Sequence, residues 1–244
     1  MREPILAVTL DIEADHGWSR PYRFDALDRT APLQALLDRH GVPLTAFATG
    51  EALERDSPLW PWLEAGPHEV GLHSYAHPRP GAPWDPVDLA RARAAFRARF
   101  GRDATCWRPP YGRLDPRSLP DLRQAGLTRL SSYRARGGLL ASPDGGMPLL
   151  DLPVSRALGL PLSLATLQVL GPALLRAAPP RAVLCLHLHD VIPTAARALL
   201  PLPLRLAYLP ARRHGDPLAF LDALLSDLAA SGTRFAPLFS PGAP

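Results

Sequence analysis

The sequence predicts one α/β domain, a distorted (β/α)7-type barrel that takes in residues 1–244. Short apolar runs alternate with helical patterns along the whole chain, as in repeated strand–helix units. No glycine-rich phosphate loop follows the first strand, and this favours a single parallel barrel over an open doubly wound sheet. A chain of 244 residues also suits one large domain better than two small ones.

The predicted elements alternate in type. Apolar runs predict strands at 5–10, 44–48, 68–73, 104–107, 127–131, 149–154, 182–189 and 233–238. Capping residues and helical periodicity predict helices after Thr30 up to Gly41, from Asp85 to about Phe100, from Asp115 to Gly126, and over 217–230. We expect the proline- and glycine-rich stretches 78–86 and 142–148 to form loops over the barrel mouth.

The composition excludes several classes of protein. Apolar residues make up 47% of the chain, enough to fill a sizeable core, so disorder is not expected. All 27 basic residues are arginine and they are scattered, whereas nucleic-acid binding usually needs a clustered basic surface. Two cysteines are too few for a disulfide framework, and we expect both to be buried. The opening MREPILAVTLD does not resemble a signal peptide, so the expected location is cytoplasmic.

Two carboxylates follow the first predicted strand. Side chains alternate along a strand, so Thr9, Asp11 and Glu13 share one face and place both acids at its C-terminal end. Barrel enzymes build their active sites at that end. Ordinary loop acids at a solvated strand end would give the same pattern. Asp15 would share the face if the strand continued, but Gly17 indicates a turn.

Two histidines, His73 and His77, follow the third predicted strand. Histidines four residues apart lie on one face of a helical turn, close enough to bind one divalent metal. With a carboxylate they would form a site that leaves coordination positions open for water, as catalytic zinc requires. His68 lies at the start of the strand, away from the mouth, and is expected to be structural.

Arg108-Pro109-Pro110-Tyr111-Gly112 directly follows the next short strand. The prolines and the glycine stiffen the turn and allow its backbone to approach a substrate closely. The permanent charge of Arg108 can keep a carboxylate ionised and oriented. A plain turn with a surface arginine is the alternative.

A later strand carries two further histidines. Alternation places Cys185, His187 and His189 on one face. His189 is nearest the C-terminal end, so it is the predicted proton donor at the mouth. We expect His187 to lie one layer deeper, as a hydrogen-bonded structural histidine.

The order and placement of these motifs resemble the polysaccharide deacetylase superfamily (NodB-like, carbohydrate esterase family 4). The resemblance covers nearly the whole chain, and its most specific parts are His73-Ser74-Tyr75-Ala76-His77 and the run 108–112. It implies a distorted barrel with a bound divalent metal, zinc or cobalt.

The resemblance also implies residue roles. Asp11 matches the general base, His189 the general acid, and Arg108 the residue that orients the base. The backbone N–H of Tyr111 matches a group that holds the oxyanion. The implied metal ligands are Glu13, His73 and His77.

The third ligand departs from the commonest family pattern, which has two adjacent aspartates. Here Ile12 separates Asp11 from Glu13. Period-two geometry supports Glu13 as the ligand, and Asp15 is the fallback.

The implied reaction removes an acetyl or similar acyl group from the amide nitrogen of an amino sugar, with a metal-activated water, an aspartate base and a histidine acid. A cytoplasmic amidohydrolase acting on a non-sugar amide, as in allantoinase-like members, would use the same residues. A non-catalytic carbohydrate-binding relative is the third possibility, because of Glu13.

The segment 158–175 contains no charged residue. Eighteen residues could just span a bilayer, but Pro161, Gln168 and Pro172 argue against it, and a buried barrel helix is expected. The alternative is an apolar lip that touches the inner membrane face and admits a lipid-linked amino sugar. Three later arginines would then meet phosphate groups or lie in a solvated loop: Arg205, Arg212 and Arg213.

Overall fold

The computed structural model describes residues 3–16, 22–134, 136–141, 146–199, 202 and 215–240. The strands are β1 (Ile5–Ile12), β2 (Leu44–Ala48), β3 (Glu69–Leu72), β4 (Cys106–Trp107), β5 (Arg129–Leu130), β6 (Gly138–Leu140), β7 (Leu149–Asp151), β8 (Arg156–Ala157), β9 (Leu160–Pro161), β10 (Arg181–His187) and β11 (Arg234–Phe235). The α-helices are α1 (Ala31–Arg39), α2 (Gly50–Leu53), α3 (Leu59–Ala65), α4 (Pro86–Phe100), α5 (Leu119–Gln124), α6 (Leu164–Leu170), α7 (Leu188–Val191) and α8 (Pro217–Ala230).

The main sheet curls into a barrel, and this confirms the predicted fold. Its order is β10-β1-β2-β3-β4-β5-β7-β6, parallel except for β6, and β11 pairs with the first two residues of β1. Beyond β7, the Ser155 N–H donates to the Val183 carbonyl and the Cys185 N–H donates to the Leu162 carbonyl, each at 3.0 Å. These bonds join the segment after β7 to β10, so the curled sheet returns on itself.

Strand alternation places the core on two sides of the barrel wall. The outward side chains of β1, including Leu6, Val8 and Leu10, pack in the large cluster beneath the helices. The inward side chain of Ala7 belongs to a small cluster with Phe47, Cys106, Val183 and Leu238. The inward positions further along β1 are the polar Thr9 and Asp11, both buried. The barrel is therefore apolar at its base and polar towards the C-terminal ends of its strands.

The segment 158–175 is not the single buried helix that its composition predicted. It contains the turn between β8 and β9, then α6, and then a 3₁₀-helix that begins at Pro172. Positive φ angles at Gly159 and Gly171 break the helical path. Leu158 is 81% exposed, whereas Leu164 and Leu167 are buried. Three arginines were predicted to meet phosphate groups or to lie in a solvated loop, and they lie outside the described residues: Arg205, Arg212 and Arg213.

None of the helices in the described ranges has the length and apolar character needed to cross a membrane. The helix predicted over 217–230 has the same bounds in the structure, and the Asp85 side chain caps α4 by accepting the Val87 N–H at 2.8 Å. Three short helices, α2, α3 and α7, were not predicted. The Thr49 side chain caps α2 by accepting the Ala52 N–H.

Candidate metal and catalytic site

The C-terminal ends of β1, β3, β4 and β10 meet at a cavity of about 220 Å³. Six of the seven predicted site residues line it: Asp11, Glu13, His73, His77, Tyr111 and His189. The seventh, Arg108, is fully buried beside Asp11. The structure therefore brings the predicted residues together at one edge of the barrel, because the C-terminal ends of parallel strands meet there.

Glu13, His73 and His77 form a compact set of metal donors. One ligand atom from each lies within 4.8 Å of the other two. The His77 Nε2 atom is 2.7 Å from Glu13 Oε2, and the His73 Nε2 atom is 3.8 Å from the same oxygen. Two imidazoles and one carboxylate match the donor set of catalytic zinc sites. The residues present therefore fit a divalent metal.

Protonation of two of the three donors suits ligation. At the third, His77, burial opposes the charged ring but Glu13 outweighs it and raises the pKa, so this ring must lose its proton when a metal binds. Burial lowers the pKa of His73 to about 4, so its imidazole is neutral at physiological pH. Burial opposes ionisation of Glu13, but the adjacent His77 outweighs it and holds the glutamate pKa well below its usual value. Metal ligands must be deprotonated. A neutral His73 and an ionised Glu13 satisfy this requirement.

The two metal histidines converge without the helical turn that their spacing predicted. β3 ends at Leu72, and the backbone then turns through positive φ angles of 69° at Ser74 and 49° at His77. The Tyr75 and Ala76 N–H groups donate to the Asp88 carboxylate and hold this turn. The prediction was correct about the meeting of the side chains and wrong about the backbone between them.

A hydrogen bond on the side away from the cavity orients the ring of His73. Its Nδ1 atom is 2.9 Å from the Arg108 carbonyl oxygen, an acceptor that requires the proton on Nδ1. The lone pair of Nε2 then faces the cavity, the usual arrangement for a metal-binding histidine. His68, expected to be structural, accepts the Leu44 N–H at 3.0 Å and lies against Trp62, away from the cavity.

Arg108 fixes Asp11. The Arg108 Nη1 atom donates to Asp11 Oδ1 at 2.6 Å, and Nη2 donates to the hydroxyls of Thr9 and Ser131 at 2.9 and 2.8 Å. Burial alone would raise the pKa of Asp11, but Arg108 and the neighbouring histidines outweigh it and lower that pKa. Asp11 is therefore an ionised, oriented carboxylate, and Arg108 is not a surface residue of a turn.

His187 occupies a different place from the one predicted. β10 ends at His187 and the helical turn of α7 begins at Leu188, so alternation stops before His189. The His187 side chain is 27% exposed and lines the cavity, with Nε2 3.7 Å from Asp11 Oδ2. His189 also lines the cavity but is only 7% exposed. The prediction that His187 lies one layer deeper was wrong.

The two histidines differ in their surroundings. The His187 Nδ1 atom is 3.2 Å from the Asp190 carboxylate. Burial disfavours the charged ring of His187, but Cys185 and Asp190 outweigh it and raise the pKa well above its usual value. The ring of His189 lies against those of His187 and His16, with centroids 5.5 and 4.2 Å away, and burial lowers the pKa of His189. The protonated ring is therefore favoured at His187 and disfavoured at His189.

Tyr111 borders the metal donors from the turn after β4. Its backbone is left-handed, with φ 56° and ψ 16°, and its ring centroid lies 4.7 Å from that of His77. Non-glycine residues rarely adopt this conformation, and it concentrates at functional sites. Gly112 follows with φ 63°, and a Cβ there would approach Tyr133 Cγ to 2.3 Å. The predicted role of the Tyr111 N–H stays a prediction.

Asp15, the fallback ligand, points elsewhere. Its carboxylate accepts the Ala26 N–H, at 3.1 Å through Oδ2, and burial raises its pKa to about 6. It does not belong to the donor set of Glu13, so the glutamate is the candidate ligand.

Sequence reasoning missed several neighbours of the reacting groups. The described contacts add Thr9, Ser131, Cys185 and Asp190. Thr9 shares the inward face of β1 with Asp11, and Asp190 follows His187 by three residues within one helical turn. Cys185 shares a face of β10 with His187, so these three had a local signal. Ser131 reaches the site from beyond β5 and had none.

Comparisons with known proteins agree with this geometry. The family model described as polysaccharide deacetylase matches residues 12–130. No curated protein sequence matches the chain significantly. Among solved structures, a putative polysaccharide deacetylase from Mycobacterium smegmatis has a TM-score of 0.67 at 22% identity, over 97% of this chain and 88% of that one.

Two further structures share the fold at lower identity. The PuuE allantoinase has a TM-score of 0.65 at 15% identity, over 96% of this chain and 87% of that one. A family 4 carbohydrate esterase pseudoenzyme from Bacillus anthracis has a TM-score of 0.57 at 13% identity, over 97% of this chain and 64% of that one. One barrel fold thus accommodates different activities, and function must be argued from the site.

Proposed function

We propose that the chain is a member of the polysaccharide deacetylase superfamily, whose family model matches residues 12–130, and that it removes an acetyl or similar acyl group from the amide nitrogen of an amino sugar. The observation that carries the proposal is that a set of metal donors and an ionised carboxylate line the same cavity. The donors Glu13, His73 and His77 lie beside the ionised Asp11, whose Oδ2 atom is 3.9 Å from His73 Nε2.

The donor set would hold a divalent metal, zinc or cobalt. When bound there, the metal would polarise the amide carbonyl and make the attacking water more acidic. The chain supplies the remaining groups. Asp11, kept ionised by Arg108, accepts the proton of the attacking water, and Arg108 in turn is held by two hydroxyls.

The departing amine needs a proton, because an amide anion is a poor leaving group. His187 faces the cavity and has Asp190 on its other ring nitrogen, so it suits this role better than the predicted His189. The assignment of His187 as the acid is part of the proposal. His189 then packs against the acid and shields it from water.

The test is acetate release from a panel of N-acetylated amino sugars. We expect a chelator to abolish release and Zn²⁺ or Co²⁺ to restore it. Asp11→Asn should lower kcat by about 100-fold or more, because a positioned general base contributes roughly 10²–10⁴-fold. Asp28→Asn removes an exposed carboxylate and should leave kcat unchanged. Unchanged turnover by an Asp11→Asn, His187→Ala double variant would exclude the proposal.

Two of the structurally similar proteins suggest other functions. The allantoinase fold match favours including non-sugar amides in the same panel, and allantoin turnover without acetate release from any sugar would replace the proposal. The pseudoenzyme match favours a non-catalytic relative. Purified protein with one tightly bound metal per chain supports an enzyme, whereas failure to bind Zn²⁺ supports the non-catalytic alternative.

We also propose that an apolar lip, formed by Leu158, Leu160 and Leu170, rests on an anionic membrane surface and admits a lipid-linked amino sugar. These side chains are 81%, 43% and 54% exposed. α6 also carries Ala165, which lines the catalytic cavity, so the lip adjoins the site. The cytoplasmic location expected from the sequence stays a prediction.

Co-sedimentation with vesicles tests the lip. We expect binding to vesicles that contain anionic lipid, and a Leu158→Ser, Leu170→Ser double variant should weaken it by about tenfold or more, since burying one leucine contributes about 1.5–3 kcal/mol. Val87→Ser removes a valine on α4 that is 62% exposed and should not alter binding. Equal binding by the double variant and the wild type would refute a membrane role for the lip.

A further inference from the structure

A second cavity of about 160 Å³ adjoins the catalytic cavity, and Tyr111 lines both. The proline-rich loop 78–83 forms one side of it, and the indoles of Trp84 and Trp107 form another. The two indoles meet edge to face, with centroids 5.9 Å apart. We call this cavity the side groove. It has room for a group that extends from a substrate whose amide lies at the metal donors.

The side chains of two arginines in the side groove have no hydrogen-bonded or ion-paired partner in the part of the chain that the structure describes. Arg79 and Arg113 line the groove and are exposed, and neither makes an ion pair or a side-chain hydrogen bond with any described residue. Each guanidinium offers five N–H donors in a fixed plane that matches phosphate and carboxylate oxygens. Both sets of donors are therefore available to a ligand.

The acids of the groove are already engaged. Asp85 caps α4, Asp88 accepts the Tyr75 and Ala76 N–H groups, and Asp115 pairs with Arg117 at 2.7 Å. Their carboxylates satisfy the protein's own donors. The unused hydrogen-bonding capacity of the groove is thus cationic.

Arg79 lines the side groove and not the catalytic cavity, whereas Tyr111 lines both. A ligand anion held by Arg79 would therefore be next to, and not within, the catalytic cavity.

We propose that the side groove is an anion subsite: Arg79 and Arg113 bind a phosphate or carboxylate carried by the amino-sugar substrate, beside Trp84 and Trp107. This inference rests on the proposed function and narrows its substrate class to acidic amino sugars. A lipid-linked sugar, a sugar phosphate and a uronic acid share this chemistry.

The experiment compares matched substrates: an N-acetylated amino sugar as its uncharged methyl glycoside, as its 1-phosphate and as its 6-carboxylate. We expect at least one charged form to have a kcat/KM about tenfold or more above the methyl glycoside, through a lower KM. The double variant Arg79→Gln, Arg113→Gln should remove this preference, because a hydrogen bond to a charged group contributes about 1.5–3 kcal/mol, which is about tenfold or more. Turnover of the methyl glycoside should not change.

Arg29→Gln is the matched control, since Arg29 is exposed and does not line the groove. A preference that persists in the double variant, or no preference for either charged sugar, overturns the subsite and leaves the proposed function intact. If no sugar is deacetylated, the proposed function fails. Titration of inorganic phosphate into the metal-loaded protein then tests whether the side groove binds an anion. Wild type and Arg29→Gln should then bind phosphate at least tenfold more tightly than the double variant, and equal binding overturns it.

Discussion

Arg108 connects three strands of the barrel at the candidate site. It is fully buried, and its guanidinium joins Asp11 on β1 to Thr9 and to Ser131 beyond β5. Burying a charge is tolerated only when it is paired and hydrogen-bonded. The planar fork of an arginine meets three partners at fixed angles, and a lysine ammonium of the same charge cannot.

Arg108→Lys should therefore lower both stability and activity. We expect the free energy of unfolding to fall by about 3–5 kcal/mol, the usual cost of disrupting a buried ion pair, and kcat to fall because Asp11 loses its orientation. Urea unfolding of the metal-loaded protein measures the first effect and acetate release the second. Arg97→Lys alters an exposed pair with Asp103 and should change stability by less than about 1 kcal/mol. Equal losses in both variants would contradict this account.

The two cavity histidines make a separate prediction. If His187 protonates the leaving amine, His187→Ala should lower kcat on an amide by about 100-fold or more. On an activated aryl acetate ester, whose leaving group needs no proton, the same variant should lose less than tenfold. His189→Ala should show no such difference between amide and ester. If His189→Ala instead shows the amide-specific loss, the acid is His189, as the sequence predicted.

At the scale of elements, the sequence predicted the site wherever a strand stayed regular. β1 is extended through Ile12, so alternation correctly placed Asp11 and Glu13 on the inward side. The same reasoning failed at the end of β10. The strand ends at His187 and α7 begins at Leu188, so strand alternation does not extend to His189. A strand end is set by packing around it, which local periodicity does not report.

Contacts between distant elements were beyond prediction for a different reason. Arg108 and Thr9 are 99 residues apart, and nothing in either motif specifies the partner. The apolar composition of 158–175 was equally uninformative, since a β8–β9 hairpin and α6 bury Leu164 and Leu167 yet leave Leu158 exposed. Composition predicts that a segment is largely buried, but it does not predict where turns divide the segment into separate elements.

The approach of β3 to β4 makes a prediction for an element. A Cβ on Gly71 would lie 2.5 Å from Cys106 Sγ and 2.6 Å from its carbonyl oxygen. Gly71→Ala should therefore displace β4 and destabilise the fold by about 1–3 kcal/mol through overpacking. Because the Arg108 N–H bonds to the Leu72 carbonyl at the end of this strand pair, kcat should fall as well. Thermal unfolding and acetate release measure the two effects.

Cys106→Ala separates the two contacts of that glycine. Alone it should cost little more than the loss of a small buried side chain. Added to Gly71→Ala it should restore only part of the stability, because the carbonyl oxygen still opposes the new methyl group. Full recovery would show that the sulfur alone limits the approach of the strands.

At the scale of the whole molecule, the C-terminal part of the chain packs against the N-terminal strands. β11 pairs with the start of β1, and the Leu238 N–H donates to the Thr45 hydroxyl at 2.8 Å inside the barrel. α8 packs against α1, α6 and α7, with an ion pair of 2.8 Å between Arg39 and Asp222. The last described residues thus complete the first strands, and we expect a single cooperative domain, as the sequence predicted.

The distribution of tryptophan makes that cooperativity measurable. All five tryptophans lie between residues 18 and 107, so fluorescence reports the N-terminal part, whereas far-ultraviolet circular dichroism reports the whole chain. We expect coincident urea transitions by both probes, because β11 pairs with β1 and one hydrophobic core includes residues from both ends of the chain. Leu225→Ala, in the fully buried face of α8, should shift both together by about 2–5 kcal/mol. Leu170→Ala, 54% exposed, should shift neither by more than about 0.5 kcal/mol. If Leu225→Ala moved the dichroism transition and left the fluorescence transition in place, the C-terminal part would be a separate folding unit.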